Sequence, residues 1–162
     1  MSQPLVAVTM GDPAGIGPEI VARALTEPDV RKSCGVVVVG DPRIMFRAME
    51  LVRGGLIVRT ATSLQGAGSD PGSLDVVPAG ALPPDAFRPG TLDARWGEAA
   101  AACCRKAVEL AKAGDVAGIT SAPFNKEAFH MAGYKAMDDR SYFEECFGKG
   151  EAYQVGEVAG IW

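Results

Sequence analysis

The chain has 162 residues, 48% of them apolar and 22% charged, with a formal net charge of −4. Those values fit one globular unit with a real core. They exclude a polyanion binder, because no basic run or aromatic–basic interleaving occurs. No apolar run reaches the roughly 18 residues that a membrane span requires. No basic stretch precedes an apolar segment at the N-terminus, so no secretory signal is read and a cytoplasmic protein is expected. The four cysteines, Cys34, Cys103, Cys104 and Cys146, form no C-x-x-C pair; Cys103 and Cys104 lie in an alanine-rich helix and are expected to be buried reduced thiols. A reactive Cys104 beside Arg105 is the alternative.

Strand and helix patterns alternate along the chain. Residues 4–10 read as a strand and 18–27 as a helix ending near Pro28. The run Gly35-Val36-Val37-Val38-Val39-Gly40 reads as a buried parallel strand. Asp41-Pro42 caps a helix to about Val52, which Gly54-Gly55 ends. Leu56 to Ala61 and Leu74 to Ala79 are the third and fourth strands, with a Gly- and Ser-rich loop over 62–73. A proline-rich loop over 80–91 precedes the clearest helix, started by Asp93 or Thr91 and stopped by Gly114. Val116 to Thr120 is a further strand. A short helix to Ala132 with Gly133 as its cap, a helical segment from Ser141 to Phe147 and an extended pattern over Tyr153 to Trp162 follow. This alternation predicts an α/β fold: a largely parallel sheet with helices on both faces, residues 1–162 forming a single unit. The chain stops in mid-element at Trp162, so a longer, truncated parent is expected.

Two loops stand at strand ends. Gly11-Asp12-Pro13-Ala14-Gly15-Ile16-Gly17-Pro18-Glu19 follows an apolar strand and opens a helix, with Pro18 suited to the first helical position and Glu19 to the first turn. It has neither the P-loop ending nor the dinucleotide glycine spacing. It reads either as a ligand-binding loop at the carboxyl end of a parallel strand or as a tight turn. Asp12 there suits a hydroxyl or metal neighbour. The second loop, Ser121-Ala122-Pro123-Phe124-Asn125-Lys126, should reach the same rim. Asn125 and Lys126 would offer amide and ammonium groups to an anion, or simply a helix cap and a solvated lysine. Asp138-Asp139-Arg140, with Glu144-Glu145 nearby, reads as a hard-cation site or as a capped helix N-terminus. His130, the single histidine, reads as a helix-surface residue.

These residues resemble a known family. Val8-Thr9-Met10-Gly11-Asp12-Pro13-Ala14-Gly15-Ile16-Gly17-Pro18-Glu19-Ile20 resembles the opening of the 4-hydroxythreonine-4-phosphate dehydrogenases, whose relatives are the isocitrate and isopropylmalate dehydrogenases. Thr120-Ser121-Ala122-Pro123-Phe124-Asn125-Lys126-Glu127-Ala128 resembles that family's Thr-Ala-Pro-Ile-Asn-Lys-Glu segment. The resemblance implies an isopropylmalate-dehydrogenase-like fold and the N-terminal half of a two-subdomain enzyme. It implies a homodimer using NAD and a divalent metal (Mg, Mn or Zn) to oxidise and decarboxylate a phosphorylated hydroxy acid in pyridoxine biosynthesis. It assigns catalysis to Lys126 and Asp12, and substrate binding to Asn125, Lys126 and Arg140.

Where the family carries a metal-binding His in a Gly-His-Thr-Glu motif, this sequence has Asp138-Asp139-Arg140-Ser141, so Asp139 occupies the ligand position. A carboxylate there favours Mg²⁺ or Mn²⁺ over Zn²⁺. The resemblance puts the remaining metal ligands and the NAD adenosine site beyond Trp162. The change at Asp139 favours a catabolic dehydrogenase of a related four-carbon threonate or erythronate phosphate. A non-catalytic α/β binding module is the reading from a different class.

Overall fold

The computed structural model describes residues 3–80, 82 and 88–148. Its centre is β2 (Gly35–Gly40), buried along its whole length. Four consecutive valines suit a strand covered on both faces, where β-branched side chains pack well and no polar face is needed. β1 (Leu5–Thr9) lies parallel to it, with Ala7 opposite Val37. β4 (Ser73–Pro78) flanks β2 on the other side, β3 (Ile57–Thr60) forms one edge, and β5 (Gly118–Ser121) pairs with β1 at the other. The order is β3-β4-β2-β1-β5, and all four pairings are parallel.

That order decides where the helices go. From β1 the chain moves through α1 (Gly17–Thr26) and α2 (Pro28–Ser33) to β2, and through α3 (Pro42–Leu51) onward to β3, always in one direction across the sheet. From β4 it returns through α4 (Ala94–Ala113) to β5, in the opposite direction. With right-handed crossovers, opposite directions require opposite faces. The packing agrees: α1 lies against α3, whereas α4 lies on β1, β2 and β5 and carries α5 (Lys126–Met131) and α6 (Asp139–Phe147) on its outer side.

Local chemistry accounts for most boundaries. Asp41 caps α3 by accepting from the Arg43 N–H at 2.8 Å, and Asp93, rather than Thr91, caps α4 at 2.9 Å. Thr91 instead accepts the indole N–H of buried Trp96 at 3.1 Å. Gly114 ends α4 in the left-handed region at φ 77°. Several expected boundaries need correction. Pro28 does not merely stop α1; it occupies the first turn of α2, with Asp29 at the positive end and Arg31 and Lys32 at the negative one. After α3 the chain turns left-handed first at Arg53, φ 52°, and again at Gly55, φ 73°. β5 runs one residue beyond the expected Thr120, and α6 starts at Asp139 instead of Ser141. The extended pattern expected over 153–162 lies outside the described residues.

The cysteine expectation holds. Cys103 and Cys104 are buried free thiols on α4; burial pushes the Cys103 thiol up to about 12 and raises that of Cys104 as well. Cys104 is therefore no nucleophile, and the Arg105 guanidinium is engaged elsewhere. Among the described residues, no helix is long and apolar enough to cross a membrane.

The tightest helix contact is α4 on α5. A Cβ at Gly97 would stand 2.1 Å from the Ala128 carbonyl oxygen, a backbone atom with no freedom to yield. Gly97→Ala is therefore expected to part the two helices and to destabilise by about 1–3 kcal/mol, the usual cost of overpacking. Chemical denaturation of the two proteins reads this directly; equal stabilities would contradict the packing.

Candidate active site

Open parallel sheets bind ligands beyond the carboxyl ends of strands where neighbouring chains leave toward opposite faces. Here that place lies between β1 and β5: β1 leads to α1 on one face, and β5 leads to α5 on the other. Both sequence-predicted loops end there, as expected. They also touch. Ala122 donates its N–H to the Thr9 carbonyl at 3.2 Å, and Asp12 donates its N–H to the Pro123 carbonyl at 3.2 Å. Gly11 turns at φ 75°, and a Cβ on it would stand 2.3 Å from the Pro123 oxygen. A Cβ on Gly17 would stand 2.6 Å from the Met10 oxygen. The first glycine thus serves both an unusual dihedral and a close approach.

Asp12 is 5% exposed and faces inward. Its carboxylate accepts from the Ala14 N–H at 2.8 Å, with the N–H groups of Gly15 and Asn125 close enough to favour its charge. Burial pushes its carboxyl above the usual range, and those three N–H groups pull it partly back. Asp12 thus clamps one loop and ties it to the other.

Asn125 caps α5, its Oδ1 accepting from the Glu127 N–H at 2.9 Å and the Ala128 N–H at 3.1 Å. Its side-chain amide nitrogen is left over for a ligand. Lys126 follows at the first helical position and is exposed. Its charge reaches Asp138, whose carboxyl is held below the usual range by the Ser141 hydroxyl and N–H first, and then by Arg140 and Lys126. Asp138 and Ser141 form a capping box, with the Ser141 N–H donating to Asp138 Oδ1 at 2.8 Å. The capped-helix reading of the acidic stretch is thus correct for Asp138.

Asp139 is half-buried and lies at the rim. One of its oxygens accepts a short hydrogen bond from the Ser121 hydroxyl at the end of β5, and the other accepts from the Arg140 N–H at 3.1 Å. The chemistry of Asp139 fits one hard-cation ligand. Among the described residues, however, no group of three His, Cys, Asp or Glu side chains could hold an ion. These residues therefore do not make a metal centre by themselves. Arg140, the expected substrate contact, pairs with Glu144 at 2.8 Å along α6. His130 is exposed, with Nε2 3.3 Å from the Ala136 oxygen.

Ser121 is the site residue that sequence reasoning passed over. The signal was present, a short hydroxyl closing an apolar strand, but its partner lies eighteen residues away. Another cleft, of about 410 Å³, lies between Thr62, Ser63 and Lys106, away from this rim.

Comparison with known proteins agrees with this geometry. The family described as "Pyridoxal phosphate biosynthetic protein PdxA" matches residues 32–160. The chain belongs to the PdxA family. Within it, the chain is 40% identical over 131 residues to the D-threonate 4-phosphate dehydrogenase of Pectobacterium atrosepticum, covering 80% of this chain and 40% of that one. It is 38% identical over 136 residues to the 4-hydroxythreonine-4-phosphate dehydrogenase of Trichlorobacter lovleyi, covering 82% and 40%. A crystal structure of a 4-hydroxythreonine-4-phosphate dehydrogenase from Burkholderia phymatum superposes with a TM-score of 0.86 at 34% identity, over 93% of this chain and 46% of that one. The chain spans about half the length of the curated relatives it matches.

Asp12→Ala leaves the buried Ala14 N–H without its acceptor, and a loss of about 1–3 kcal/mol is expected. The folded Asp12 carboxyl titrates above its unfolded value of 3.8, so its contribution is greatest below that value. The stability gap between the two proteins should therefore narrow as pH rises through the folded value. Urea titrations at several pH values measure it, and a gap that widens with pH would contradict the assignment.

Proposed function

We propose that this chain is the N-terminal part of an NAD-dependent dehydrogenase that oxidises the secondary alcohol of a small phosphorylated hydroxy acid. One observation carries the reading: the two family motif loops meet at the switch point of the sheet, with Asn125 and Lys126 on the rim between them. Lys126 is a compact, mobile cation suited to a phosphate or carboxylate. The Asn125 amide nitrogen, free of the cap, orients the same anion. Ser121 and Asp139 place hydroxyl and carboxylate groups where the alcohol end would lie.

Asp139 would supply one oxygen to a divalent ion whose other ligands would come from outside the described residues. Such an ion polarises an alcohol and stabilises charge on its oxygen. A bound NAD would supply the hydride acceptor, held by residues outside the described ones. A cytoplasmic homodimer fits the exposed apolar side chains Ile16, Ile20, Met131 and Met137, which a second copy would cover.

Two relatives of nearly equal identity carry different substrates in their names, D-threonate 4-phosphate and 4-hydroxythreonine-4-phosphate. The carboxylate at Asp139 favours the first reading, a catabolic substrate, over the pyridoxine-pathway one. A panel of both compounds with NAD, followed by nicotinamide absorbance, tests the class and ranks the two. Turnover of neither would leave the binding-module reading.

In the full-length enzyme, Lys126→Ala removes a charge-assisted contact worth about 1.5–3 kcal/mol. KM is expected to rise roughly 10- to 100-fold with an unchanged melting temperature. An unchanged KM with lost stability would make Lys126 a packing residue.

A further inference from the structure

Asp139 returns to Ser121 after eighteen residues that leave the sheet altogether. The chain passes through α5 and a turn before α6 brings the carboxylate back. One hydrogen bond to Ser121 does not set the place of a nine-residue helix that buries only Tyr142.

What holds α6 is the outer face of α4. Tyr142 is 4% exposed, and its phenol oxygen accepts from Arg105 Nη1 at 2.9 Å. Tyr134, in the turn before α6, accepts from the same nitrogen at 2.6 Å and donates to Glu98 Oε2 at 2.6 Å. Arg105 Nη2 closes the ring of contacts on Glu98 Oε1 at 2.7 Å. Glu98 and Arg105 are seven residues apart, so they share one face of α4. The Phe129 ring sits against both phenols, 4.7 Å from Tyr134 and 4.9 Å from Tyr142. The far end of α6 has a separate tie, from Lys112 Nζ to the Cys146 carbonyl at 2.9 Å.

We propose that Arg105 is a positioning residue for the rim. Its guanidinium fixes Tyr134 and Tyr142 together, and so sets where α6 delivers Asp139 to Ser121. The planar fork matters because one nitrogen serves two phenols while the other serves Glu98; a lysine ammonium is a single point and cannot hold all three in that geometry. The fixing of α6 stands on contacts within this chain. Its consequence for turnover rests on the proposed function.

The test uses the full-length protein with Arg105→Lys and Tyr142→Phe, and Lys112→Ala as the control. Hydrogen exchange is followed across α6, and steady-state kinetics with D-threonate 4-phosphate and NAD are measured on the same samples. Arg105→Lys is expected to exchange roughly tenfold faster around Asp139–Tyr142, with β1 and β2 unaffected. Its kcat/KM is expected to fall roughly tenfold per folded molecule. Lys112→Ala should loosen only the end near Cys146 and keep kcat/KM. Tyr142→Phe keeps the ring and loses one bond, so it carries the test if Arg105→Lys does not fold. Unchanged exchange at Asp139–Tyr142 in both variants overturns the proposal. Faster exchange there with unchanged kcat/KM also overturns it, leaving Arg105 as a purely structural tie. If the unsubstituted protein turns over neither substrate class, the proposed function fails, and the exchange result alone decides the positioning.

Discussion

Direct backbone contact between the loop after β1 and the loop after β5 is the constraint on which the site depends. No side chain separates the two loops at Gly11 or Gly17: a Cβ there would stand 2.3 Å or 3.0 Å from the Pro123 oxygen. The Asp12 N–H reaches the Pro123 oxygen, while the Asp12 carboxylate reaches the Asn125 N–H. The loops therefore form one body across the switch point. The cap of α5 and Lys126 inherit their positions from it.

The second constraint is α4. Its inner face packs on β1, β2 and β5, and its outer face receives α5 and α6. Gly97 admits α5 to within backbone contact, and Arg105 receives the turn and α6. The rim is thus built from two directions, by loops meeting at the sheet edge and by helices docked on α4. Burying a carboxylate at Asp12 and the Tyr142 phenol beside α4 is tolerable because each has a hydrogen-bond partner.

Much of this was legible in the sequence, for identifiable reasons. The valine run of β2, the caps Asp41 and Asp93, and Gly114 each act locally, and each sits where local chemistry puts it. Two apolar strands ending in glycine- and proline-rich loops predicted a common rim. Long-range pairings were not legible. Nothing local says that Asp12 turns inward toward Asn125, that Asp139 meets Ser121, or that Arg105 joins Tyr134 to Tyr142. Asn125 shows how local and functional readings coexist, its oxygen capping a helix while its amide nitrogen stays available. Arg140 likewise has a local partner, Glu144 one turn away.

The central claim is that the crevice between β1 and β5 receives the phosphorylated ligand. The most direct measurement is an NMR titration of the protein with D-threonate 4-phosphate, with backbone amides followed residue by residue. The account predicts the largest shifts at Gly11–Gly17 and Ser121–Lys126. Shifts confined to the cleft of Thr62, Ser63 and Lys106, with both rim loops silent, would contradict it.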